Sequence, residues 1–181
     1  MAFDSTGRLL MSDDDSHLVL ASTGGAPTAL FSTGTARLFD IEIGPSDLIY
    51  SGANDGKIRI HGADGSLLND MFSAGFGGSP RLAFGKGFGF GTDLYVLDDG
   101  DLFRLDVAGI PTIVGSGFAS VVTDIKFGPD GALYVSEFSN DRILRVSAVP
   151  EPSSAVLAFV CFVAFGLGAY KSKRAPMAAG R

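Results

Sequence analysis

Along most of this chain apolar residues fall in short runs, separated by turns rich in Gly, Asp, Asn and Pro. Lys57-Ile58-Arg59-Ile60 alternates with period two, the pattern of a strand with one buried face. Ala132-Leu133-Tyr134-Val135 and Arg142-Ile143-Leu144-Arg145-Val146 are apolar-rich runs of strand length, each preceded by a polar turn. Further strands are predicted at Thr28–Phe31, Leu67–Phe72 and Thr112–Val114, and before residue 150 no stretch carries a convincing amphipathic helix. Four segments share one grammar: an apolar anchor, a Gly/Pro/Asp turn, a strand, a polar turn and a second strand. Their anchors Phe3, Ile43, Phe84 and Phe127 stand 40, 41 and 43 residues apart. A period near 40 with several short strands per unit predicts an all-β chain of β-propeller blades, each of four antiparallel strands. A β-sandwich could show similar turn spacing and a β-helix has shorter repeats, but neither predicts matched anchors at this interval. The 25 glycines suit the propeller, since hairpins need positive φ and blades taper toward the axis.

The pattern changes in the last 32 residues. Ala155 to Tyr170 (AVLAFVCFVAFGLGAY) is uncharged and apolar on every face, and Lys171, Lys173 and Arg174 follow at once. As a helix it rises about 24 Å against a hydrocarbon core of roughly 30 Å; Ser153, Ser154 and a snorkelling Lys171 close most of the difference. A buried core helix of this length is the other reading, but it would normally show a polar stripe. The expectation is a single transmembrane helix, C-terminus in the cytoplasm and everything before it outside. Cys161 lies within the span as a small hydrophobe, so the preceding body has no cysteine and must be stable without disulfides.

Charge divides at the same place. Residues through Val149 hold 10 Lys+Arg against 19 Asp+Glu, a net of −9, and the remainder carries +3, giving −6 for all 181 residues. With a pI near 4.7 the chain lacks the basic face of a nucleic-acid binder. One Cys and two His exclude a disulfide framework and a Cys/His zinc cluster. The mean hydropathy of +0.29 comes largely from the apolar run.

Val149-Pro150-Glu151-Pro152, then small residues, the apolar run with Gly166 and Gly168, and the basic cluster resemble the PEP-CTERM sorting signal of Gram-negative bacteria. Two prolines in three residues leave an extended, exposed peptide at the outer membrane face. The resemblance covers Val149 to about Arg174 and implies processing by exosortase, a membrane cysteine transpeptidase, with delivery to the surface or matrix. The extension Ala175–Arg181 departs from the usual pattern. The domains expected are therefore residues 1–148 as propeller, 149–174 as sorting signal and 175–181 as a short tail.

Phe127-Gly128-Pro129-Asp130-Gly131-Ala132-Leu133-Tyr134-Val135-Ser136, with Asn140-Asp141-Arg142-Ile143-Leu144-Arg145-Val146 after it, resembles NHL and regucalcin/gluconolactonase-like propellers over nearly all of residues 1–149. Such propellers usually close with six blades, and about four units are recognisable here. Met1-Ala2-Phe3 begins inside a blade pattern with neither a basic nor an apolar leader segment. The expectation is thus a chain lacking a signal peptide and about two blades, the rival being two short chains that associate into one ring.

Candidate chemistry is sparse. Asp13-Asp14-Asp15, Asn54-Asp55, Asp98-Asp99 and Asn140-Asp141 would suit Ca²⁺ or another divalent ion, yet all fall at one point of the repeat, where Asn and Asp are favoured as turn residues. The lactonase resemblance implies an axial metal held by a Glu, an Asn and an Asp; Glu137, near a strand end, is the weak candidate, and a solvated turn carboxylate is its plainer reading. His17 and His61 flank turns with no nucleophile elbow nearby. Gly85-Lys86-Gly87-Phe88-Gly89-Phe90-Gly91 lacks a P-loop ending and reads as an enlarged hairpin with two exposed Phe side chains. No catalytic residue is assigned. The expected function is a non-catalytic surface or matrix propeller that binds exopolysaccharide or surface proteins. A metal-dependent gluconolactonase-like hydrolase is the alternative.

Overall fold

The structure, a computed structural model, describes residues 1–13 and 18–148, which fall within one unit, Met1–Ala148. Strands account for its regular structure apart from two short 3-10 turns. Blade 1 comprises β1 (Ala2–Phe3), β2 (Leu9–Asp13), β3 (Leu18–Ser22) and β4 (Thr28–Ser32). Blade 2 comprises β5 (Leu38–Ile43), β6 (Ile49–Ala53), β7 (Lys57–His61) and β8 (Leu67–Ala74). Blade 3 comprises β9 (Arg81–Phe84), β10 (Leu94–Asp98), β11 (Asp101–Leu105) and β12 (Pro111–Ser116). In blade 4 the described residues form β13 (Val122–Phe127), β14 (Leu133–Glu137) and β15 (Arg142–Val146). Within each sheet every strand pairs antiparallel with the next along the chain, giving four β-propeller blades. Each anchor is the last residue of its blade's first strand, and the three outlying strands predicted from sequence are β4, β8 and β12.

Alternation along the strands gives each blade two apolar faces, and successive blades press them together. Leu10 and Val19 of blade 1 meet Leu38, Ile41 and Ile49 of blade 2. Ile58 meets Leu82, Leu94, Val96 and Leu105 across the next junction. Leu97 and Leu102 meet Ile125, Leu133 and Val135 across the third. All of these are 3% exposed or less. Burial of each such side chain contributes roughly 1.5–3 kcal/mol, so the junctions, not disulfides, hold the array.

One repeated pair explains the Gly that follows three of the four anchors. Tyr50, Tyr95 and Tyr134 occupy the same position in blades 2, 3 and 4. Each ring lies over the glycine after its own anchor. A Cβ on Gly44 would stand 2.6 Å from the Tyr50 ring and one on Gly128 2.6 Å from Tyr134, while one on Gly85 would stand 3.3 Å from Tyr95 and closer still, 2.4 Å, to the Gly91 carbonyl oxygen. Close approach, and not positive φ, demands these glycines. Blade 1 has Leu10 in place of the tyrosine and Asp4 in place of the glycine. The Asp4 carboxylate is free to accept hydrogen bonds from the Thr6 and Arg8 N–H groups, the Thr6 hydroxyl and the Arg8 guanidinium. Burial opposes its charge, but these bonds hold its pKa down at about 2.

Among the described residues no helix is long and apolar enough to cross a membrane. The expected span Ala155 to Tyr170, Val149-Pro150-Glu151-Pro152, the basic cluster Lys171, Lys173 and Arg174, Cys161 and His17 lie outside them.

Candidate functional site

The first strand of blade 3 packs against the first strands of blades 2 and 4, and the three face the propeller axis. A polar group crosses it. Lys126 of β13 donates to Glu42 of β5 at 2.6 Å, joining blades 4 and 2. The Arg81 guanidinium of β9 donates to the Phe39 and Val122 carbonyls and lies over the Phe39 ring, 5.5 Å from its centroid. Asp40 is 5% exposed and accepts N–H bonds from Ile41 and Leu82, both at 2.8 Å. Burial raises its pKa from 3.8 to about 6, even though Lys126 and the Leu82 N–H favour the charge. Burial also works against the Lys126 ammonium, but Glu42 and Asp40 outweigh it and its pKa is raised.

This group does not fit the axial metal implied by the lactonase resemblance. Lys126 places a positive charge where a cation's ligands would converge, and it engages Glu42. Among the described residues no three His, Cys, Asp or Glu side chains are grouped to hold a metal ion. Glu137 stands apart from the axial group, at the end of β14. Its side chain is fully buried, not solvated, and accepts bonds from the Ala119 N–H, the Asn140 amide and the Arg142 guanidinium. Arg142, then Asn140 and Ala119, hold its pKa down to about 2. Asp98, at the equivalent position of blade 3, accepts N–H bonds from Gly77 and Ser79. Both carboxylates therefore clasp the loop that arrives from the preceding blade.

The described acid-rich turns lie between second and third strands, and Asp99 and Asp141 take left-handed φ of 48° and 49° there. That is the turn chemistry expected of them. His61 ends β7, stacked on Phe31 at 3.9 Å and 3% exposed. Burial lowers its pKa to about 4.

A second feature was not visible in the sequence. Two of the three repeat tyrosines pack edge-on against the next blade's anchor, Tyr50 on Phe84 at 5.0 Å and Tyr95 on Phe127 at 5.4 Å. Between blades 3 and 4 the space beside the pair is filled by Phe90 of the enlarged loop, 5.4 Å from Tyr95 and 5.1 Å from Phe127. Of the two phenylalanines expected to be exposed, Phe88 is 74% exposed, while Phe90 packs against the core. Between blades 2 and 3 the corresponding loop is only Gly44 to Leu48, and the space stays open as a cleft of about 230 Å³. Pro45, Tyr50, Phe72 and Phe84 form its apolar wall and Asp93 and Asp106 stand beside them. The Tyr95 hydroxyl donates to the Phe90 carbonyl and that of Tyr134 to Asp130, but among the described residues Tyr50's has no partner. Aromatic edges beside carboxylates and a free hydroxyl suit a ligand with both apolar faces and hydroxyl groups.

No family model matches the chain, and no curated protein does. Solved structures do. Virginiamycin B lyase from Staphylococcus aureus aligns with 83% of this chain and 55% of its own, at 16% identity and a TM-score of 0.62. A putative gluconolactonase aligns over 82% of this chain and 62% of its own, at 15% identity and a TM-score of 0.54. The extracellular domain of a putative hybrid two-component system from B. thetaiotaomicron aligns over 84% and 21%, at 17% identity and a TM-score of 0.53. This chain thus spans between a fifth and two thirds of these structures. At such identities the likeness is one of fold, the β-propeller, and of fold alone.

Proposed function

We propose that the chain is an exported, non-catalytic propeller that binds a saccharide in the cleft between blades 2 and 3 and acts at the cell surface or in the extracellular matrix. The observation that carries the binding role is the unengaged Tyr50 hydroxyl in an aromatic cleft that its counterpart junction fills with its own Phe90. The sorting role rests on Val149-Pro150-Glu151-Pro152, the apolar run Ala155 to Tyr170 and the basic residues after it, with exosortase as the processing partner. The body's net negative charge and lack of cysteine suit such an exported module. A gluconolactonase-like hydrolase, the alternative, has the likeness of fold in its favour, and the axial donor set among the described residues does not supply its metal.

Binding to a panel of neutral and acidic hexose oligosaccharides, measured by calorimetry, tests the cleft. Tyr50→Phe removes one hydrogen bond and should weaken binding about 5-fold, the equivalent of about 1 kcal/mol. Tyr95→Phe, whose hydroxyl serves Phe90, should leave binding unchanged. Equal losses in both variants, or no binding to any member of the panel, would overturn the assignment. For sorting, replacing Pro150, Glu151 and Pro152 with alanine in a host carrying exosortase should trap unprocessed precursor in the membrane. Unaltered maturation would sink that part.

A further inference from the structure

We propose that the two end faces of the four-blade unit are the two halves of one blade–blade junction, and that a second copy of the chain covers them head to tail, blade 4 of each on blade 1 of the other. The support lies in what the internal junctions bury. On the face a blade turns toward its predecessor, the anchor and the start of the second strand are apolar throughout. Phe127 is 5% exposed there, and Ile49, Leu94 and Leu133 are 0%, 3% and 0%. Blade 1 carries the same positions as Phe3 and Leu9, with Met11 where Val96 and Val135 are fully buried. Yet Phe3 is 67% exposed, and Leu9 and Met11 are only partly covered.

The opposite face tells the complementary story. Toward its successor each blade presents the repeat tyrosine and the residue paired three positions into the second strand. Ile58 and Leu102 fill that second position at 0% and 2% exposure; in blade 4 it is Ile143, 71% exposed. Among the described residues Tyr134, whose counterparts Tyr50 and Tyr95 each cap the next blade's anchor, has no anchor ring against it. Asp124 repeats Asp40, each accepting the N–H of the isoleucine that follows it; Asp40 also takes the Leu82 N–H of the next blade, whereas Asp124 is exposed. Among the described residues, blades 1 and 4 are not packed together as neighbouring blades are. One end therefore presents an exposed anchor, and the other a tyrosine and isoleucine shaped to cap one. A contact repeated within the chain is available between chains, and made at both ends of each copy it joins the two as a closed head-to-tail pair, not an open filament. Exposed apolar faces of this kind mark association sites.

The full chain in a Cys161→Ser background, with Phe3→Cys and Tyr134→Cys made separately, provides the test. A short bismaleimide should couple the two single variants when they are mixed and leave each alone largely uncoupled, and sedimentation of the unmodified chain at tens of micromolar should show dimer. A monomer, or single variants that couple as readily with themselves, would overturn the head-to-tail arrangement. Coupling within one chain of the double variant would overturn it too, since the end faces would then meet each other. Native protein from its source in which a further blade of the same polypeptide shields Phe3 from maleimide would displace the second copy and also refute the proposal.

Discussion

Leu133→Ala should cost the fold roughly 2–5 kcal/mol, the range for a leucine removed from a close-packed interior. Leu9→Ala, the same position one end of the array away, should cost about 1 kcal/mol or less in dilute solution. The two residues share sequence context and register: Leu133 pairs with Phe127, and Leu9 with Phe3. They differ in what lies above them. Leu133 is fully buried in the cluster that includes Leu97 and Leu102 of the preceding blade, whereas Leu9 is only partly covered. Truncation at Leu133 leaves a cavity that two sheets cannot collapse to fill. Truncation at Leu9 removes atoms from a surface. Urea unfolding followed by circular dichroism measures both, and equal losses would refute this account of the junctions. Concentration adds a second reading. If a second copy covers Leu9, the cost of Leu9→Ala should grow as the protein is concentrated, because association stabilises the folded form by mass action. The cost of Leu133→Ala should not.

This pair also shows what the sequence can and cannot disclose. The interval between Phe3, Ile43, Phe84 and Phe127 was legible because a blade repeats its own packing, so an anchor recurs wherever an inner strand ends. Acid-rich turns were legible for the same reason. The Tyr-over-Gly contact was present in the letters Phe127-Gly128 and Tyr134, but its cause is a ring crossing its own hairpin, which only coordinates reveal. The cleft arises from a difference in length between two loops that are equivalent in the repeat, and its meaning depends on knowing that Phe90 turns inward. Glu137 was singled out by chemistry that suits a metal ligand. Its partners are instead one backbone N–H, one amide and one guanidinium, a set that any buried carboxylate at a strand end could recruit. The axial acid could have been found: Asp40-Ile41 and Asp124-Ile125 each stand three residues before an anchor, and an acid inside a predicted inner strand is itself a signal.

Asp40→Asn should change the sign of its effect with pH. With its pKa raised from 3.8 to about 6, the folded state holds more protons than the unfolded chain across that window, so Asp40 costs stability as pH rises through it. The full cost, roughly 3 kcal/mol at one pK unit per 1.36 kcal/mol, is present above pH 6 and absent below about pH 4. Asparagine removes the buried charge but has a single acceptor oxygen for the Ile41 and Leu82 N–H groups, which loses about 1 kcal/mol. The variant should therefore be more stable than the wild type by about 1–2 kcal/mol at pH 8 and less stable by about 1 kcal/mol near pH 4. His61 acts in the opposite direction. Its folded pKa is lowered from 6.5 to about 4, so the unfolded chain takes up its proton first and stability falls as pH drops through that range. In the wild type the Asp40 slope opposes that of His61 between pH 4 and 6; in Asp40→Asn it is gone, the lowered Glu137 carboxylate adds to the histidine slope at the acid end, and stability should rise steadily with pH. Urea midpoints at pH 4, 6 and 8 decide the matter. If Asp40→Asn were destabilising at all three, the attraction of Lys126 would outweigh burial, and the carboxylate would be a favourable axial charge.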